Sequence, residues 1–168
     1  MKKYKTFLAM VLLSSMLFLL CGCNQYKGPY VFWRQSRENI QKVEICTYED
    51  DVQTVILELP ADEVDTFLDE VSNLEFLELI THPIIDYGII AVVITYADGE
   101  KEVISSSASG YVSQDGKFHP DSYVVNNNRE FYDLVCNYVP QESFPNLKEH
   151  FPYWFDEDGN LIPTEELE

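Results

Sequence analysis

The chain has 168 residues, of which 46% are hydrophobic and 14% aromatic, and it sets 29 Asp and Glu against 11 Lys and Arg for a formal charge of −18. That length and aromatic content are enough to bury a core, which excludes a disordered chain. The acidic excess excludes a nucleic-acid partner, because tracking a phosphate backbone requires Lys and Arg to displace its counterions.

Residues 1–20 begin with Lys2, Lys3 and Lys5 and continue as an apolar run from Phe7 to Leu20, interrupted by Ser14 and Ser15. A basic start followed by a short apolar stretch and small residues is the pattern of an export signal. The run is shorter than the roughly 20 apolar residues that a spanning helix requires. It leads into Leu20-Cys21-Gly22-Cys23.

This tetrapeptide resembles the lipobox of bacterial lipoproteins, which has Leu three residues before the modified cysteine and a small residue directly before it. The resemblance implies that Cys23 takes a diacylglyceryl thioether and that residues 1–22 are removed as a signal peptide. Palmitate-type chains would then anchor the protein in the cell membrane, on its extracytoplasmic face. Cys21 follows the bulky Leu20 and does not fit the modified position. Two acyl chains satisfy the two-signal requirement for stable anchoring. Removing the three leader lysines takes the formal charge from −18 to −21. Such a surface repels anionic headgroups. It suits a basic protein partner, or serves only as a solvated exterior.

Residues 23–29 read as the lipidated terminus and a short linker, and the six residues after Cys23 reach at most about 20 Å when extended. The apolar cluster Tyr30-Val31-Phe32-Trp33 is either an edge strand or a packed arm. Residues 42–48 alternate Val43, Ile45 and Thr47 against Glu44 and Cys46. Residues 52–59 alternate Val55, Leu57 and Leu59 against Thr54, Ile56 and Glu58. Period two predicts a pair of strands, joined through Glu49-Asp50-Asp51. Val64, Phe67, Leu68 and Val71 then follow helical spacing, with Asp62 and Glu63 at the positive end of the helix dipole.

Residues 74–80 either extend that helix or form a strand, and His82-Pro83 ends both. The β-branched run in residues 88–96 predicts a strand buried on both faces. Asp98-Gly99 is a hairpin turn signal, and Glu102-Val103-Ile104 starts the return strand. Residues 111–113 and 118–125 suggest another pair of strands around the turn at 114–117. A second helix follows Asn126-Asn127-Asn128, any of which can cap it, with Phe131, Leu134, Val135 and Tyr138 on its apolar face.

The segments Val43-Glu44-Ile45-Cys46-Thr47-Tyr48-Glu49-Asp50 and Ala91-Val92-Val93-Ile94-Thr95-Tyr96-Ala97-Asp98 look alike, and each leads through a turn toward a helix. A strand-strand-helix unit that occurs twice would set Cys46 opposite Ile94, a core position. The expected fold class is α+β: a mainly antiparallel sheet with two amphipathic helices on one face, within residues 30–140. Residues 141–168 form an aromatic and acidic extension. It either completes the core or presents Tyr153, Trp154 and Phe155 to a partner; the rarity of large exposed apolar patches on monomers favours the core.

Little in the chain points to catalysis. His82, His119 and His150 are far apart and match no metal-ligand spacing. Ser105-Ser106-Ser107 lacks the G-x-S-x-G elbow and reads as a loop. Asp156-Glu157-Asp158-Gly159-Asn160 fails as a calcium loop, since its sixth and twelfth positions are Leu161 and Leu167. It reads instead as a tight turn. Cys46 and Cys136 either pair as a disulfide outside the cytoplasm or pack separately as small apolar side chains.

No cofactor, metal or catalytic residue is therefore expected. The expectation is a lipid-anchored protein-contact module with a binding, immunity or accessory role, similar to small lipoproteins of Gram-positive bacteria. Two other classes stay open: a small-ligand or cation-binding lipoprotein, and an enzyme of unrecognised type. A pocket holding His119 or His150 beside two carboxylates would mark the enzyme.

Overall fold

A computed structural model describes residues 27–31, 33–49, 52–78, 89–106, 109–112, 118–120 and 123–167. Their order is β1 (Lys27–Pro29), β2 (Ile40–Glu49), β3 (Val52–Glu58), α1 (Val64–Asn73), β4 (Glu75–Glu78), β5 (Ala91–Tyr96) and β6 (Lys101–Ser105). Then come β7 (Gly110–Val112), β8 (Phe118–Pro120), β9 (Tyr123–Val125), α2 (Asn128–Cys136) and the short α3 (Leu147–His150). Among the described residues, β3-β2-β5-β6-β7-β8 form one antiparallel sheet and β1-β4-β9 a second, which makes the fold α+β.

Alternation along the central strands sorts the side chains of the large sheet. Val43 and Ile45 of β2 pair with Ile94 and Val92 of β5, and these four face the main core. Glu44 and Cys46 pair with Val93 and Ala91 on the other face. All six residues of β5 are buried, as the β-branched run predicts. The β5–β6 turn closes with Gly99 at φ +87, a left-handed conformation that favours glycine, while its N–H donates to the Tyr96 carbonyl.

The two hairpins β2–β3 and β5–β6 lie back to back through β2 and β5, and each precedes a helix. The segment alignment does not survive as a structural repeat, however. Cys46 packs with Ala91, Val93 and Val103, whereas Ile94 belongs to the helix-facing core. Residues that the alignment equates face opposite sides, because an offset of one residue reverses every side chain of a pleated strand.

Two other expectations change, and one left open is decided. Residues 27–29, read as linker, form the edge strand β1; the pairing of Lys27, Gly28 and Pro29 with β4 runs through the backbone, and Pro29 is tolerated because the strand is an edge. Of the two readings open for residues 74–80, residues 75–78 take the strand, held between β1 and β9. Residues 118–125 split into β8 in the large sheet and β9 in the small one. Pro120, which has no N–H to give a ladder, ends the first.

The helices cover one face of the large sheet. Phe67, Leu68 and Val71 of α1 and Phe131, Tyr132 and Val135 of α2 enter the core, joined by Phe144, Leu147 and Trp154 from the C-terminal extension. Phe67 meets Tyr138 edge to face at 4.9 Å, and the Tyr138 hydroxyl donates to Glu70 of α1 at 2.9 Å. Tyr30 and Trp33 make the first apolar cluster a packed arm, with their rings 4.9 Å apart.

On the core face of β6, across from Ile94, stands the fully buried Glu102. The Tyr30 hydroxyl donates to its Oε1 at 2.6 Å, and the Tyr96 hydroxyl to its Oε2 at 2.5 Å. The Arg34 N–H donates to the same Oε2 at 3.2 Å. Burial, with the Glu102 charge next in effect, holds the Tyr96 hydroxyl well above the usual tyrosine range.

Replacing this acceptor leaves two buried hydroxyls without it, so Glu102→Ala is expected to lower the unfolding free energy by about 4 kcal/mol. Glu102→Gln, which keeps one carbonyl oxygen, should lose about half of that. Urea unfolding of both variants measures this. A loss under about 1 kcal/mol for the alanine variant would show that the carboxylate does not hold the arm.

Candidate functional site

Among the described residues, a concave site lies where α2 begins. Asn127 caps the helix: its Oδ1 accepts from the N–H groups of Arg129 and Glu130 at 3.0 and 3.4 Å, and its Nδ2 donates to Glu130 Oε1 at 3.1 Å. Capping satisfies N–H groups that the first helical turn would otherwise leave without acceptors.

Arg129 sits in that first turn and is only 7% exposed. Its Nε donates to Asp133 Oδ1, one turn along, at 2.9 Å. Asp133 Oδ2 in turn accepts from the Thr164 hydroxyl, which ties the C-terminal extension to the helix. The guanidinium carbon lies 5.6 Å from the Trp154 ring centre and 5.8 Å from that of Tyr132, within cation–π range.

The indole of Trp154 stacks on Phe151 at 4.0 Å and is 2% exposed. Between α2 and the extension runs a groove of about 590 Å³, walled by the Asn126-Asn127-Asn128 turn, Arg129, Tyr153, Trp154 and Thr164. Two buried polar atoms in that wall, Arg129 Nη1 and Asn128 Oδ1, have no hydrogen-bond partner among the described residues.

The three aromatics considered as a contact surface divide. Trp154 belongs to the core, Phe155 is half-buried against it, and Tyr153 is 65% exposed on the rim of the groove. Asp156 to Asn160 make the expected tight turn. The Asn160 N–H donates to Asp156 Oδ1 at 2.8 Å, Gly159 takes φ +86, and Phe155 bridges to Leu161. Those hydrogen bonds hold the exposed Asp156 carboxyl below its ordinary range.

Cys46 and Cys136 are unbonded thiols. Cys46 lies on the sheet face turned away from the helices, whereas Cys136 ends α2, so the sheet separates them. Burial pushes the Cys46 thiol up to about 11, against a hydrogen bond from Gln53 that acts in the other direction. Burial also raises Cys136.

Cys23 and His82 lie outside the described residues. His119 is in β8, paired with Tyr111, and His150 is exposed at the end of α3. His150 lines neither this groove nor the smaller clefts of about 250 and 270 Å³ beside residues 143–147. Among the described residues no group of three or more His, Cys, Asp or Glu is placed to hold a metal ion, and no helix is long and apolar enough to cross a membrane. No known protein family, curated protein or solved structure matches the chain.

Arg129 is the residue that sequence reasoning passed over. Its one signal is an acid four residues on, Asp133, in a helix otherwise poor in bases.

Two measurements follow from this placement. Trp154→Ala is expected to cost about 3–5 kcal/mol of stability, the range for emptying a buried tryptophan site, while Tyr153→Ala stays within about 0.5 kcal/mol; paired thermal melts distinguish them. Alkylation of the folded chain at pH 8 should find roughly a hundredfold less Cys46 thiolate than an ordinary thiol provides, because its pKa stands near 11 rather than 9. Rapid labelling of native Cys46 would contradict its burial.

Proposed function

We propose that the chain is a lipoprotein held on the extracytoplasmic face of the cell membrane through Cys23, and that it works by contact with another protein rather than by catalysis. The observation that carries the contact reading is the groove beside α2, in which the buried Arg129 and the rim residue Tyr153 share one wall.

Geometry supports a partner at membrane height. Only residues 24–26 separate Cys23 from β1, a reach of about 10 Å when extended. The formal charge of −21 left after the leader lysines are removed keeps the domain off anionic headgroups and favours a basic partner. Such a placement suits an accessory, immunity or binding role that needs proximity and no chemistry of its own.

Two experiments on intact cells test the halves of this reading. Incorporation of radiolabelled palmitate should disappear in Cys23→Ser, with the chain released from the membrane; retained label would overturn the anchor. A photo-crosslinking amino acid in place of Tyr153 should give a discrete adduct with a membrane-associated protein, and the same probe at Val55 should not. Equal adducts from both positions would remove the groove as the contact surface.

A further inference from the structure

We infer that the groove beside α2 recognises a backbone amide of an extended, basic peptide segment. This rests on the contact reading above and names the chemistry that the contact would use.

The side chain of Arg129 is nine-tenths buried, at 9% exposure, with Nε committed to Asp133 and Nη1 without an acceptor. A guanidinium N–H removed from water without a partner is costly, so a ligand oxygen that supplies one is selected strongly. The neighbouring residue offers the complement: Asn128 Oδ1 is a buried acceptor without a donor in the same wall. A donor and an acceptor in one wall match a segment that shows a carbonyl and an N–H along the same edge, as each residue of an extended chain does.

Charge decides between an amide and an anion. Asp133 already offsets the Arg129 charge, and Glu166 adds a negative group to the same wall. Two amides of the first turn of α2, those of Arg129 and Glu130, are taken up by the Asn127 cap. A phosphate or carboxylate would therefore meet two acids and no free positive charge beyond one shared guanidinium. A neutral carbonyl meets none of that repulsion, and a lysine or arginine beside it has Glu166 to pair with. Trp154 and Tyr153 supply the apolar wall for a neighbouring side chain. The groove volume of about 590 Å³ falls within the span of sites that enclose small ligands.

The test is an NMR titration of the full chain in detergent micelles with acetyl-Lys-Ala-Ala-Lys-amide, following the Asn128 side-chain amide and the Trp154 indole N–H. Sodium phosphate, acetate and N-acetylglucosamine are run in parallel. Saturable shifts with the peptide alone are expected. Arg129→Lys should weaken binding by about tenfold and Asn128→Ala by about fivefold, the worth of one charged and one neutral hydrogen bond. Asn128→Ala leaves the Arg129–Asp133 pair intact, so it reports on recognition even if the Arg129 variant unfolds; its melting curve confirms the fold.

Equal shifts with phosphate or acetate would make the groove an anion site and overturn the inference. A response to N-acetylglucosamine alone, or no saturable response to the peptide, would do the same. Peptide affinity unchanged in Asn128→Ala, with crosslinking from position 153 retained, would leave the contact function standing while removing the amide recognition. Absence of an adduct from position 153 in a chain that keeps Asn128 would remove the contact function itself.

Discussion

A carboxylate taken out of water inside an apolar layer must be met by donors from whatever surrounds it, and Glu102 sets that condition for this fold. Its donors come from the N-terminal arm, from β5 and from the backbone at Arg34. The Tyr30 ring that supplies one of them also rests against Phe76 of β4 at 4.8 Å, and the Tyr30 N–H donates to the Ser72 carbonyl at the end of α1. Arg34 lies over the Tyr111 ring of β7 at 3.5 Å. The arm thus joins the small sheet to the large one, and the acceptor at its centre is a single side chain. A charge in that position is weak evidence for stability, and any other arrangement of the arm would leave it without the Tyr30 and Arg34 donors.

A second buried charge stands in the first turn of α2. Arg129 is held by Asp133, and the same carboxylate holds Thr164, so the wall of the groove exists because the C-terminal extension is fastened to α2. Trp154 closes the core behind it. The two sites share one principle: each carries a desolvated charge whose partners come from segments distant in sequence. They differ in completeness. Glu102 accepts from three described donors, whereas Arg129 keeps one buried N–H without an acceptor, and this is what turns the second site outward.

Elements whose evidence is local were legible in the sequence. Val64, Phe67, Leu68 and Val71 form a helix because burial recurs with the helical period, and residues 91–96 form a doubly covered strand because only such a strand uses so many β-branched residues in succession. The cap at Asn127 and the turn at Gly99 likewise follow from single residues. Elements that exist through pairing were not legible. β1 is built from Lys27, Gly28 and Pro29, whose side chains say nothing of a sheet, and its hydrogen bonds are answered by β4, almost fifty residues away. Nothing local marks Glu102 or Arg129 as buried for the same reason: the groups that make their burial tolerable are supplied by other parts of the chain. The groove depends on both kinds of information, which is why Tyr153 could be singled out from composition while Arg129 could not.

The edge position of β1 also bears on how the fold meets mechanical load. A force applied at Lys27 along the axis of that strand would shear the pairs Lys27–Leu77, Gly28–Phe76 and Pro29–Glu75 together instead of opening them one after another. Behind them stand the Tyr30 backbone bond to Ser72 and the hydroxyl bond to Glu102. Force entering at Lys27 is therefore shared between two sheets, and the groove stands close to that junction, since Asn126 of its wall donates its N–H to the carbonyl of Glu75, the partner of Pro29 in the β1–β4 pairing.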